Sequence, residues 1–498
     1  MKIKKYSIIT IIMMLIIFIP IGKSFAVETN ALTIQAYGED ITISLFKKEH
    51  TNFKKAIHDK TIYTIRYEDN QKGYLIFETY KLDNNDIYYC IKVEGEADIP
   101  SNIIVSISLP VKKDYEYSYF TYPLEISNKT SVLIEHIDSK NKKLNIAHTA
   151  HIKSNTFSMV ASQINAYEEM KNEVIKDDVL QSTYISIDNE KITGKAFVKQ
   201  GYIVELWGIV SKNQLVDMSE KEQFEAIKIA DLSQYRKWTM KGPYYITPSS
   251  YYPNKENYFY NNVAQHIGAM FLNTKGRFFQ DMATISIYTA LLNQNELGIW
   301  YTTPKSTWLY EDYKIGRYFY DTRFNSDAAL FLINGYREFN DSTMLKGAIK
   351  YGDFLVEYIK GHHYNTIKDG YLVWDYGDVF LSEKPTHVSL NHLVNEMNFL
   401  YELYIETNKK DYLLMGNKIK IAVDDTYIKW SKPNNDLWYA YMQDGSFNLK
   451  DYVNLTLRDL LYSQKLIVKI QGEKDKAFEV LITKKIQYLN NYKLPLTK

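Results

Sequence analysis

The apolar residues of this chain recur at two different intervals, and the interval changes near residue 255. Before that point, residues 31–36, 41–46, 61–66, 74–80, 87–93 and 103–109 are short runs that alternate apolar with polar or are rich in β-branched residues. A period of two sends successive side chains to opposite faces of a strand. Polar turns such as Asp69-Asn70-Gln71-Lys72-Gly73 and Asp83-Asn84-Asn85-Asp86 separate the runs. The pattern predicts antiparallel sheets in a sandwich or barrel-like domain. A helix is expected at 158–176, followed by strands at 184–187, 192–198 and 202–210, with Val198-Lys199-Gln200-Gly201-Tyr202 as a hairpin turn.

Beyond residue 255 apolar residues recur every three and four positions. Helices are expected at 263–272, 281–292, 326–339, 344–359, 387–406, 411–429, 453–468 and 474–490. In one of them Leu390, Val394, Met397, Tyr401 and Tyr404 form a single apolar stripe. Short polar turns, Asn340-Asp341-Ser342 and Asn408-Lys409-Lys410, join neighbours into αα-hairpins. The expected fold class is therefore α+β and multidomain: a β-rich domain over 27–215, a linker over 216–254 and an (α/α)4-type toroid over 255–498. The linker holds a helix at 220–230 and the aromatic-rich run from Trp238 to Tyr245.

Residues 1–26 read as a leader rather than as part of the fold. Lys2, Lys4 and Lys5 precede an apolar run from Ile8 to Ile21, and Ser24-Phe25-Ala26 fits a small-x-small cleavage site. The run is short for a membrane span, although an uncleaved anchor is the other reading. The expected location is secreted or in the cell envelope, with no stable membrane span after cleavage near Ala26. Removing the leader leaves 56 basic against 59 acidic residues, a net charge of −3. That balance gives no electrostatic case for nucleic acid as a partner, but it leaves room for an anionic sugar held in a local basic cleft. Cys90 is the only cysteine, so an intramolecular disulfide is ruled out, and a buried small hydrophobe is the expected role. Zinc-ligand cysteine pairs, His-Glu-x-x-His and phosphate-cradling glycine loops are absent, and no cofactor is expected. The 44 tyrosines, against 22 Phe and 7 Trp, suit a sugar cleft and low-GC coding bias equally.

Long loops of a toroid converge at one mouth, and three of them are rich in polar and aromatic groups. They run from Tyr310 through Arg317, Tyr320 and Arg323, across Trp374-Asp375-Tyr376-Gly377-Asp378, and from Trp438 through Tyr439 and Tyr441 to Asp451-Tyr452.

These loops resemble the glucuronyl C5-epimerases, over roughly 310–470. Trp374-Asp375-Tyr376, then Pro385, Leu390-Asn391 and Leu400-Tyr401-Glu402-Leu403-Tyr404, is similar to the family's Trp-x-Glu-Glu-Tyr-Pro loop and Leu-Asn-Gly helix. Asp451-Tyr452 is similar to its Trp-Asp-Tyr motif. His392 stands where the family has glycine, and Val453-Asn454-Leu455-Thr456 replaces two threonines and a histidine. The resemblance implies catalytic roles for Tyr376, Tyr452 and Tyr439 or Tyr441. It implies substrate contacts from Tyr320, Trp374, Asp375, His387 and Asn391, and no metal. Inverting carbon 5 of a hexuronic acid takes a proton from one face and returns it to the other, while the adjacent carboxylate is neutralised. Arg317 and Arg323 are the candidate carboxylate clamps.

The expected partner is an extracellular or cell-surface polysaccharide, and a homodimer is compatible. A polysaccharide lyase would share the carbanion. A glycoside hydrolase would instead need two carboxylates, drawn from Asp375, Asp378 and Glu396. A non-catalytic carbohydrate-binding envelope protein is the reading from a different class.

Overall fold

The computed structural model describes residues 25–28, 33–108, 115–121, 133–138, 144–146, 149–154, 157–188, 191–232, 236–255, 257–263, 266–378 and 384–496. Most of the expected leader lies outside them. Its last two residues belong to the strand Phe25–Glu28, where Ala26 pairs with Gln35.

The first half is a sandwich of two antiparallel sheets. Among the described residues one sheet has 6 strands and the other 14. The strand Ile87–Gly95 explains how both faces of the larger sheet are used. It lies between Asn70–Leu82 and Tyr202–Ser211, and its first seven residues are buried. The pleat sends Tyr89, Ile91 and Val93 into the core shared with the smaller sheet. Tyr88 and Cys90 point the other way, into a core shared with the helices. A strand covered on both faces loses its polar alternation, which is why 87–93 is nearly all apolar.

Three expectations fail here. The segment 158–176 is not helical: Ser158–Ala161 and Asn165–Glu169 are strands, both paired with Tyr202–Ser211. The turn at 198–202 is real, with the Tyr202 N–H on the Lys199 carbonyl and Gly201 at φ 74°. It is not a hairpin, because Lys191–Ala196 belongs to the 6-stranded sheet and Tyr202–Ser211 to the 14-stranded one. The chain crosses the sandwich there. The segment 216–254 is no tether either, since Arg236–Thr239 and Gly242–Ile246 extend the large sheet.

The helices are α1 (Lys221–Leu232), α2 (His266–Asn273), α3 (Arg277–Asn293), α4 (Thr307–Tyr313), α5 (Thr322–Phe339), α6 (Ser342–Gly361), α7 (Leu390–Thr407), α8 (Lys410–Trp430), α9 (Leu455–Gln471) and α10 (Lys476–Asn491). All eight helices expected after residue 255 are present, and α4 is an addition. Packing joins α3, α5, α7 and α9 in one row and α6, α8 and α10 in a second. The pairs α2–α3, α5–α6, α7–α8 and α9–α10 are αα-hairpins, each packed on the next through the first row. Where α6 meets α7, a Cβ on Gly352 would press on a Leu403 methyl, so glycine leaves room for the close approach. Helix α3 lies on the large sheet: Tyr80 and Trp207 share its core with Phe278, Ile285 and Tyr288. Arg277 pairs with Asp86 across the same junction.

The stripe on α7 needs correcting. Every residue from Leu390 to Leu403 is buried, including Asn391, His392, Asn395, Glu396 and Asn398. The face opposite the apolar stripe is not solvated. It supplies polar groups to the interior where α5, α7 and α9 meet.

Candidate active site

The site is built where α5 and α7 begin. Strands Phe319–Asp321 and Tyr376–Asp378 form a short ribbon in which Asp321 faces Tyr376 and Tyr320 faces Gly377. Directly opposed residues share a face of the ribbon, so Asp321 and Tyr376 lie together while Tyr320 points away. Tyr320 enters the helical core, where it packs on Tyr351, Phe354 and Tyr358 and its hydroxyl meets that of Tyr351 at 2.9 Å. Tyr320, expected as a substrate contact, thus lies on the face of the ribbon away from Tyr376, buried in the helical core.

Asp321 is the N-cap of α5 and accepts the Phe324 N–H at 2.9 Å. Asp375 instead holds the residue before α7: it accepts the Ser389 N–H at 2.8 Å and the Ser389 hydroxyl at 2.5 Å. Burial pushes the Asp321 carboxyl up to about 7 and that of Asp375 well above the carboxylate range. Glu396, two turns into α7, is sealed, and neither of its oxygens accepts a hydrogen bond of normal geometry. Burial raises it well above the usual range too, with the Thr322 hydroxyl opposing. Burial thus favours the neutral acid at both Asp375 and Glu396.

Two imidazoles complete the group. His387 Nδ1 meets the Tyr313 hydroxyl at 3.1 Å, and its Nε2 lies 3.4 Å from Asp375. His392 Nδ1 meets the Thr322 hydroxyl at 3.0 Å and lies 3.8 Å from Asp375 and 4.0 Å from Asp321. Burial lowers His387 to about 4. It lowers His392 well below its ordinary value, helped by the charge of Arg323. Both rings are neutral.

The tyrosines meet this group from outside. The Tyr376 ring lies 5.7 Å from His387 and 5.5 Å from His392. Tyr439 lies 6.0 Å from His387 and touches Tyr452 edge-on at 5.7 Å. Tyr452 is 52% exposed and marks the way to solvent. Trp308, on α4, closes the other side against Tyr376 and His387. Burial raises the hydroxyls of Tyr376 and Tyr439 well above their usual value, and raises Tyr452.

The structure thus brings together Tyr376, Tyr439, Tyr452, Asp375 and His387. Tyr441 sits one pleat further along its strand, on Tyr364 and Phe447. Trp374 packs on His362 and Tyr364. Asn391 is buried, and its carbonyl accepts from Arg323. Asp378, the remaining hydrolase candidate, pairs with Phe319 at the end of the ribbon.

Neither arginine is a free clamp. Arg317 is exposed and donates to Asn172 of the β domain at 2.9 Å. Arg323 is spent on structure: it donates to Asp327 at 3.0 Å, to the Asn391 carbonyl at 3.0 Å, and to both oxygens of Asp459 at 2.5 and 3.2 Å. One guanidinium fork thereby ties the first turns of α5, α7 and α9.

Sequence reasoning missed Trp308, Tyr313, Thr322 and His392 as members of the group. Asp321 directly before the first helical residue, Thr322, is an N-cap signal that could have marked that position. Among the described residues no three His, Cys, Asp or Glu side chains are placed to hold a metal ion. No helix among them is long and apolar enough to cross a membrane.

No protein-family model matches the chain, and no curated protein matches it in sequence. Among solved structures it is similar to a D-mannose isomerase, at 12% identity and a TM-score of 0.33, over 43% of this chain and 55% of that one. It thus spans little more than half the isomerase's length. A family 76 glycoside hydrolase from a bovine Bacteroides thetaiotaomicron strain is similar over 80% of this chain and 76% of that one, at 12% identity and a TM-score of 0.39. A cellobiose 2-epimerase from Bacillus thermoamylovorans is similar over 45% of this chain and 59% of its own, at 12% identity and a TM-score of 0.34. At these scores the likenesses carry no argument about activity, which rests on the site itself.

Proposed function

We propose that this chain is an exported, polysaccharide-modifying enzyme that inverts carbon 5 of hexuronic acid residues. The observation that carries this reading is the meeting of Tyr376, Tyr439 and Tyr452 with two neutral imidazoles at the joined N-termini of α5 and α7. Converging helix N-termini suit the substrate carboxylate. Asp321 in its protonated form, and Asp375, whose burial favours the neutral acid, can donate hydrogen bonds to its oxygens as charge develops. A tyrosine held protonated by burial delivers a proton to one face of carbon 5. On the other face a second tyrosine, its own proton released to solvent at the open Tyr452 side, takes the carbon-bound proton. Each positioned group of this kind contributes roughly 10²- to 10⁴-fold.

One observation favours a second reading. Asp321, with its carboxyl near 7, has the protonation of a general acid for glycoside cleavage, although the sealed Glu396 leaves no accessible partner base. Incubation with uronic acid polymers in deuterated water separates the cases. Deuterium at carbon 5 supports the epimerase, an ultraviolet-absorbing double bond indicates a lyase, and new reducing ends alone indicate a hydrolase. Polymer binding with none of the three would leave a carbohydrate-binding protein and overturn the proposal.

A further inference from the structure

Lys485 is the most deeply buried cation described, and it lies on α10, in the row of helices away from the mouth. It is 0% exposed. Its ammonium donates to Asp436 at 2.7 Å and to Asp451 at 2.6 Å, and both carboxylates are themselves buried. Each partner opens a segment that carries a tyrosine of the site. Asp436 lies three residues before Tyr439, and Asp451 immediately precedes Tyr452. The two carboxylates have further partners: Thr456 donates to Asp451 at 2.6 Å, and Lys432 approaches Asp436 at 3.4 Å. The charges balance as two ammonium groups against two carboxylates, in a place from which water is excluded.

A buried ion pair is weak evidence for stability, because its desolvation offsets most of its attraction. Its better-attested use is to fix register, since any shift of either segment strands a charge. From this geometry we infer that Lys485 is a positioning residue that sets the Tyr439 and Tyr452 rings at their 5.7 Å edge contact. It touches neither ring and reaches no substrate. The inference rests on the proposed acid/base role of the two tyrosines, because positioning matters only if their hydroxyls meet a reacting atom.

The test places 3-fluorotyrosine at position 439 of the full chain and follows its fluorine resonance in Lys485→Met, which keeps the stem and removes the charge. Lys420→Met is the control. Lys420 bridges Asp424 and Asp475 in the same helical region, and neither tyrosine-bearing segment is involved. The expected result is a shifted or broadened resonance in Lys485→Met alone. Turnover of a uronate polymer should fall by about tenfold or more in kcat, with KM within about threefold, because misplacement removes transition-state rather than ground-state contacts. Asp436→Asn, which releases one arm only, gives the same readout if Lys485→Met does not fold. An unmoved resonance in whichever variant folds overturns the inference, whatever the turnover. Equal shifts in Lys485→Met and Lys420→Met also overturn it, since they reduce Lys485 to general stability. A wild-type chain that turns over no polymer defeats the proposed function, while the resonance still decides the positioning.

Discussion

Replacing Arg323 distinguishes a substrate clamp from a structural tie. Its side chain is 12% exposed and makes four hydrogen bonds, three of them to carboxylate oxygens. Arg323→Met leaves Asp459 buried and unpaired, and removal of one partner from a buried pair costs about 3–5 kcal/mol. Arg323→Lys keeps the charge but puts its donors on one nitrogen, so the fork across Asp459 and Asn391 is lost. Two charge-assisted bonds at about 1.5–3 kcal/mol each, partly recovered by the ammonium, put the lysine variant near 2–3 kcal/mol. With both halves unfolding together, roughly 470 residues at about 2.1 cal/mol/K each give about 1 °C per kcal/mol, which predicts a fall in Tm of roughly 3–5 °C for the methionine variant. The deficit also depends on pH. Burial already holds the Asp459 carboxyl up at about 6 despite the arginine, and without that arginine it lies higher still. A folded-state value above the unfolded one means that stability falls as pH rises through the window. The methionine variant should therefore approach wild type near pH 4.5 and fall furthest below it at pH 8. The measurement is the Tm of all three proteins across that range. A methionine variant within about 1 kcal/mol of wild type at pH 8, but inactive, would refute the structural tie and restore Arg323 as a ligand of the substrate.

Tyr376→Phe and Tyr452→Phe should keep the fold, since only a hydroxyl is lost, and each should lower the rate of deuterium exchange at carbon 5 by roughly 10²-fold or more. Unchanged exchange in both would remove the tyrosines from the mechanism. Asp321→Asn keeps a good helix N-cap. Because Asp321 titrates near 7 in the fold but near its ordinary value when unfolded, the wild type loses about 1.4 kcal/mol per pH unit between roughly pH 4 and 7. The Tm of the asparagine variant relative to wild type should climb over that interval and level off above it. A difference that does not change with pH would mean that Asp321 is ionised throughout. Protein recovered from an exporting host should begin at or near Val27, which N-terminal sequencing of the mature chain checks.

Helices were legible here where an apolar stripe ends in capping or turn residues, as at Asp341 before α6 and Asn408 after α7. Strands were legible where turns punctuate alternation. The crossover at 198–202 was not, because a turn reads the same whether the next strand pairs with the last one or with another sheet. The segment 158–176 was misread because buried strands lose their alternation. The loops holding Tyr376, Tyr439 and Tyr452 were located in sequence, but the choice between Tyr439 and Tyr441 needed the register of one strand. The arginines misled for a simple reason. A guanidinium that binds Asp459 and one that binds a sugar carboxylate have the same sequence neighbours, and only the positions of the helix ends separate them. His392 looked like a departure from a family glycine, whereas its contacts with Thr322, Asp375 and Asp321 make it a member of the site.

The strand Ile87–Gly95 is a wall with a tenant on each side, and the sole thiol is set into it. With Tyr89, Ile91 and Val93 serving one core and Tyr88 and Cys90 the other, neither half can come apart without stripping a face of the same strand. The two halves should then lose their order together, unlike lobes on a flexible joint. Cys90 becomes an internal clock: a thiol reagent reaches it only when that shared wall is breached, so its labelling rate measures the lifetime of the whole native chain.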